Sequence, residues 1–153
     1  MSVAAVRAGI LALALSANVS TFAKPALITG QAVGPAAMIT LADADPRRSH
    51  KGLYRIVVRA AAKPGRITFL NSETNYQASG NITFSLAPTV AAKLADRLGK
   101  PAEIALIGRS VTVSGILVRA PIVNVLNQRA RSFNRWAYQV RVENISQIEA
   151  IDG

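Results

Sequence analysis

The chain has 153 residues, 50% of them hydrophobic, with a single histidine and no cysteine. That length suits one packed domain, and the missing cysteines exclude disulfide staples, thiolate metal sites and thiol nucleophiles together. A formal net charge of +10 points toward acidic partners such as nucleic acid, anionic lipid or polysaccharide, or an acidic protein, although the same charge can serve solubility alone.

Residues 1–23, MSVAAVRAGILALALSANVSTFA, place Arg7 before an apolar stretch from Ala8 to Leu15 and small residues at Thr21 and Ala23. This is the layout of a secretory signal peptide, and the apolar run is shorter than the roughly 20 residues needed to span a bilayer. Cleavage after Ala23 predicts a periplasmic or secreted chain without a transmembrane anchor. Its roughly 130 residues are enough to bury about two-thirds of the unfolded surface. Residues 24–52 are rich in Ala, Gly, Pro and Asp without a sustained period. They are expected to form an irregular lead-in, with short edge strands over Leu27–Val33 and Met38–Leu41.

From Leu53 the pattern alternates. LYRIVVRAA sets Tyr54, Ile56, Val58 and Ala60 against Leu53, Arg55, Val57 and Arg59, the period of a strand with one core face and one partly basic face. A turn at Ala62–Gly65 leads into a second strand over 66–71. The polar stretch Asn71–Gly80 is the hairpin connection, and Ile82, Phe84 and Leu86 alternate in a third strand. Beyond Pro88, Val90, Leu94 and Leu98 form one stripe of a short helix that should stop at Gly99 and Pro101. GRSVTVSGILVRA is a fourth strand, with a bend expected at Gly115 that would turn Val111, Val113, Ile116 and Val118 inward. Residues 136–151 supply the last strand, with Trp136, Tyr138, Val140 and Val142 on one face.

Three strands, a helix and two strands make the topology of a five-stranded OB-fold-like barrel, the oligonucleotide- and oligosaccharide-binding architecture. A sandwich would want more strands and a ferredoxin-like fold two helices. The stretches FLNSETNY, NITFSL, IGRSVTVSGIL and ISQIEAI also resemble the recurrent pieces of small exported bacterial OB-fold proteins. In those, a Phe-Leu-Asn-Ser strand is followed by an Asn-Phe-Thr-like strand, a helix, a Gly-Lys-x-Val-x-Val-x-Gly strand and a Gln-Ile terminus. The resemblance covers 53–151, within a domain expected over 53–153. It implies an all-β fold with one helix and carries no catalytic motif. The chain departs from it in Gly108-Arg109 and in the long fourth-to-fifth connection APIVNVLNQRARSFNR.

Chemistry-bearing constellations are sparse. His50 has no Cys or His partner at zinc-site spacing, no G-x-S-x-G elbow occurs, and no glycine-rich phosphate loop or cofactor motif is present. A nuclease-like use of Glu73 beside Arg55 or Arg59 lacks the further oxygen ligands that calcium requires. The charge distribution says more. Arg47, Arg48, Lys51, Arg55, Arg59, Lys63 and Arg66 fall in a segment without an acidic residue, and so do Arg109, Arg119, Arg129, Arg131, Arg135 and Arg141. In an OB barrel these segments converge on the ligand face. The connection NQRARSFNRWAY interleaves Arg129, Arg131 and Arg135 with Phe133 and Trp136, the mixture of cations and stacking platforms used by single-strand binders. The alternative is that the aromatics belong to the core and the arginines are solvated.

The expected ligand-binding residues are therefore Arg55, Arg59, Lys63, Arg66, Arg119, Arg129, Arg131, Phe133, Arg135 and Trp136, with no cofactor or metal. The expected function is an exported, non-enzymatic module binding an anionic polymer, either nucleic acid or envelope glycan. An accessory domain docking an acidic envelope protein is the alternative, and a nuclease-like enzyme the third reading.

Overall fold

The computed structural model describes residues 30–153. The expected signal peptide and the start of the expected first edge strand lie outside that range. The described elements are α1 (Pro35–Ala44), β1 (His50–Val57), β2 (Ala60–Ala62), β3 (Thr68–Asn71), β4 (Ile82–Leu86), α2 (Pro88–Leu98), α3 (Ala102–Ala105), β5 (Ser110–Leu126), β6 (Arg129–Val142), a 3-10 turn (Ile145–Gln147) and β7 (Ile148–Asp152). The fold is mainly β, as the alternation predicts. Among the described residues, however, seven strands and three α-helices replace the expected five strands and one helix.

Each difference has a local cause. The segment 24–52, expected to be irregular, contains α1 in place of the strand at Met38–Leu41. Gly34 caps it in an extended conformation, Pro35 occupies its first turn, and Met38 and Ala42 are buried one turn apart, as Pro at a helix start allows. His50 heads β1, and its Nε2 lies 3.3 Å from the Asp45 carbonyl oxygen. The expected last strand is divided by the 3-10 turn, where the Asn144 side chain accepts from the Ser146 N–H at 3.0 Å. The helix α2 and its stop follow expectation, with Gly99 left-handed at φ 71 and its N–H donating to the Ala95 carbonyl.

The strands lie in the order β1-β5-β6-β4-β3-β2, with β7 also on β5. All neighbours are antiparallel except β4 and β6, which are parallel. The sheet is curled into a half-barrel, and its first and last strands are consecutive in the chain. The Val58 N–H donates to the Arg109 carbonyl at 2.9 Å and the Val58 carbonyl accepts from Gly108 at 2.7 Å, while the next N–H, of Arg59, donates to Asn71 at 2.9 Å. The chain therefore leaves β5 and joins β3 within one residue. The handover shifts the alternation, so Ala61, rather than the expected Ala60, packs against the core.

Tyr54, Ile56, Val58, Leu70, Ile82, Phe84, Leu86, Val111, Val113, Leu117, Val140 and Val142 fill the concave side and are essentially inaccessible. Burying each large aliphatic or aromatic side chain is worth roughly 1.5–3 kcal/mol. Met38 of α1 and Val90 and Leu94 of α2 join the same cluster. The chain passes straight from β4 into α2 and from α3 toward β5, so these helices cover one end of the curl and α1 lies toward the other.

Gly115 does not bend β5. It pairs in unbroken register with Gly52, so Leu117 turns inward while Ile116 is 49% exposed. The need for glycine here is steric, because a Cβ at 115 would lie 2.7 Å from Val140 Cγ1.

The long fourth-to-fifth connection is not a loop. Residues of β5 after Leu117 have no partner in β1, and residues of β6 before Tyr138 have none in β4. The two strands continue, paired only with each other, to a two-residue turn at Asn127 (φ 50) and Gln128 (φ 62). Two left-handed central residues match the twist of a hairpin. The result is an arm standing off the barrel. At its base Tyr138 donates to Asp43 of α1 at 2.8 Å, tying the arm to the helix.

Gly115→Ala is expected to cost about 1–3 kcal/mol by overpacking against Val140, read as a lowered midpoint in denaturant unfolding. Burial holds the Tyr54 and Tyr138 hydroxyls above the ordinary tyrosine range, and at Tyr138 the hydrogen bond to Asp43 adds to the effect. Both folded-state values exceed the unfolded value of about 10, so their contribution to stability is complete below about pH 10 and is lost as pH rises through the folded values. Unfolding midpoints measured from pH 8 upward should stay level to that point and then fall, and less steeply in Tyr138→Phe.

Candidate functional site

Residues that point away from the core on β3, β4 and β6 line a continuous groove. In this register Asn71 lies beside Thr83 and Phe69 beside Ser85, while Gln139 neighbours Thr83 and Arg141 neighbours Ser85. One cleft of about 460 Å³ is lined by Ala62, Pro64, Phe69, Asn71, Tyr76, Thr83, Ala137, Tyr138 and Gln139. A second, of about 280 Å³, shares Phe69 and Gln139 and continues to Arg141 and Glu143. The floor is hydrogen-bonding, with Phe69 as its aromatic platform and Arg141 and Glu143 at its lower end.

The head of the groove is fixed by Asn81, which is 6% exposed. Its amide nitrogen donates to Asn71 Oδ1 at 3.2 Å, to the Tyr76 carbonyl at 3.2 Å and to Thr83 Oγ1 at 3.1 Å, and its Oδ1 accepts from the Glu73 N–H at 3.1 Å. Thr83 in turn donates to Asn71 Oδ1 at 2.8 Å, and Ser72 Oγ accepts from the Ile82 N–H at 2.8 Å. The polar stretch 71–80 is thus a connection held by a buried amide network. It presents Tyr76, 58% exposed, at the groove's rim, with the Arg135 guanidinium 5.6 Å from the centre of its ring. Lower down, Gln139 donates to Ser85 Oγ at 2.6 Å.

The expected ligand-binding residues separate into several groups. Lys63 and Arg66 are exposed on the turn between β2 and β3, next to the lining residues Pro64 and Ile67, and Arg135 stands at the groove head. Arg129 is at the arm's tip and Arg131 in a bulge of β6. Arg55 belongs to another neighbourhood, donating to Thr112 Oγ1 at 2.9 Å with Asp152 at 3.8 Å. Arg59 is exposed at the handover.

Arg119, Phe133 and Trp136 face the core side of the arm, opposite the groove. Arg119 Cζ lies 3.8 Å from the Trp136 ring centre and its Nε 3.3 Å from Asp43 Oδ1. The Nε is buried without an aligned hydrogen bond, so it is held by charge alone. Phe133 and Trp136 have ring centroids 5.1 Å apart. Phe133 and Trp136 therefore face away from Arg129 and Arg135, with which they interleave along the sequence.

Phe69, Tyr76 and Gln139 are the groove residues that sequence reasoning missed. The available signal was parity: Phe69 alternates with buried Leu70, and Gln139 with Tyr138 and Val140. A further cleft of about 510 Å³ adjoins Arg141 and Glu143 and is lined also by Ile116, Val118 and Gln147. The Gln147 amide there is fully occupied, bonding Ser114 and Arg141 through nitrogen and the Glu143 and Asn144 N–H groups through oxygen.

Comparison with protein-family models and with curated proteins finds no match to this sequence.

Asn81→Ala should cost roughly 1–3 kcal/mol, because it strands buried partners without a hydrogen bond. Faster amide exchange at Glu73, measured beside the unfolding midpoint, distinguishes loss of this network from a general loss of stability.

Proposed function

We propose that the chain is an exported binding module of OB type that holds an anionic polymer along the outer face of β3, β4 and β6. The observation that carries this reading is the arrangement around the groove. A hydrogen-bonding floor with Phe69 as a platform and Arg141 and Glu143 at its lower end is flanked by the turn bearing Lys63 and Arg66 and headed by Tyr76 and Arg135. Such a floor can accept sugar hydroxyls or base edges, the ring can stack on a sugar or base, and the surrounding cations attract the polymer's charge.

The parallel pairing of β4 with β6 and the joining of β1 to β2 support the OB assignment, since they let an otherwise antiparallel curl close around one core. In that architecture the ligand face is flanked by the first-to-second and fourth-to-fifth connections, here the turn 63–67 and the arm. Export rests on the composition of residues 1–23. We read the groove as binding rather than catalytic because its lining residues include one carboxylate, Glu143, and no histidine.

The test is titration of a fluorescently labelled single-stranded oligonucleotide and, separately, an anionic polysaccharide, at increasing salt. At least one should bind at low salt, with log affinity falling linearly against log salt. Replacing Lys63, Arg66 and Arg135 together by Ala should reduce the slope for the oligonucleotide by roughly 2, at about 0.7 per phosphate contact. Phe69→Ala should weaken binding by about 5- to 150-fold, the equivalent of one lost stacking contact of roughly 1–3 kcal/mol. Absence of binding to either polymer at low salt, or a slope indifferent to the triple substitution, overturns the proposal.

A further inference from the structure

The arm has two unlike faces, and the groove uses only one. The pairs Pro121 with Trp136, Val123 with Phe133 and Val125 with Ala130 turn toward the core side, while Asn124 with Ser132 and Leu126 with Arg129 turn the other way. Two register shifts on β6 make this possible: one at Asn134 lets Phe133 and Trp136, three positions apart, share a face, and one at Arg131 does the same for Ala130 and Phe133. Asn124 bonds Ser132 at 2.9 Å and Asn134 at 3.0 Å on the polar side. Every side chain on the core-side face from Pro121 to Val125 and from Ala130 to Trp136 is apolar. They are solvent-exposed, with Val123 at 40%, Val125 at 63%, Phe133 at 54% and Trp136 at 39%. A ribbon of nine residues from Val118 to Leu126 extends about 30 Å, and two strands alone are only marginally stable in water.

We propose that this face docks on an anionic lipid bilayer, with the arm lying in the interface. Charge complementarity favours that occupant. No acidic residue occurs from Arg109 to Arg141, and among the described residues Arg129, Arg131 and Arg135 have no carboxylate partner. Arg129 at the tip and Arg131 in the bulge carry long side chains that can reach round the ribbon to headgroups while the apolar body sinks into the interface, whereas Arg135 stays with the groove. Tryptophan is suited to the same depth, with an apolar body and one polar N–H.

A second copy of the chain is disfavoured, because it would bring two arms together with their unpaired arginines and no compensating acid. A protein partner normally meets a face carrying polar groups that fix register, and between Pro121 and Val125 and between Ala130 and Phe133 the paired residues of this face carry none. Among the described residues no helix is long and apolar enough to cross a membrane, so the arm's contact would be peripheral.

Trp136 is the only tryptophan in the chain, so its emission reports the arm alone, whatever residues 1–29 do. The full chain is mixed with vesicles of phosphatidylcholine containing phosphatidylglycerol, and with pure phosphatidylcholine vesicles. We expect a blue shift of Trp136 emission and quenching by brominated acyl chains with the anionic vesicles only, diminished by high salt. Val123→Ser with Val125→Ser should reduce partitioning about tenfold or more without changing oligonucleotide binding in the groove, and Arg129→Glu with Arg131→Glu should abolish it. Unchanged emission with anionic vesicles overturns the proposal. So does an equal shift with phosphatidylcholine, a shift that grows with protein concentration in the absence of lipid, or a shift with anionic vesicles that both double variants leave intact. None of these outcomes bears on the groove, whose polymer titration stands separately.

Discussion

At Val58 the first long stretch of strand is bonded to the beginning of β5, and at Arg59 it is bonded to the end of β3. A backbone unit has one N–H and one carbonyl, so this exchange of partners can be made only if β5 and β3 approach the same point from opposite sides. The sheet must therefore curl until its ends meet across two residues. The concave side becomes one apolar interior shared by the strands and the helices packed on it. The convex side of β3, β4 and β6 is left as a shallow channel with a polar floor.

Parity converts that curl into chemistry. On β4, Ile82, Phe84 and Leu86 are committed to the core, so Thr83 and Ser85 must face out beside Asn71, Phe69 and Gln139. The parallel junction of β4 with β6 brings residues more than fifty positions apart into contact, as in the Gln139 to Ser85 hydrogen bond of 2.6 Å. Asn81 then settles the connection above the channel with a single buried amide. The fold therefore builds the site from outward leftovers of core-forming strands, and only the rim residues Tyr76, Lys63, Arg66 and Arg135 stand outside that constraint.

What could be seen in the sequence follows the same division. The apolar alternation of β1, β3, β4 and β6 and the stripe of α2 were legible, because burial of one face writes a period of two or 3.6 directly into the chain. The helix α1 was not, because Ile39 and Thr40 suggest a strand and its burial rests on just Met38 and Ala42. Gly115 was misread as a bend because its constraint, Val140, lies on another strand. The candidate ligand set was legible as basic segments but not as a surface. Register shifts in β6 move Phe133 and Trp136 to one face and leave Arg135 on the other, and no spacing rule for an unbroken strand anticipates that.

The base of the arm couples these parts. Asp43 on α1 receives the Tyr138 hydroxyl and faces Arg119, and Arg119 stacks on Trp136. A free two-stranded ribbon resists twisting and bending poorly, so its direction is set where it leaves the sheet. Tyr138 is the first β6 residue paired with β4, and Arg135 lies three residues before it, over Tyr76 at the groove head. A single carboxylate on the helix thus aligns the arm whose one face carries the exposed aromatics and whose other face brings a cation to the channel. The curl of the barrel fixes the channel's floor, and the helix-to-arm contact fixes its head.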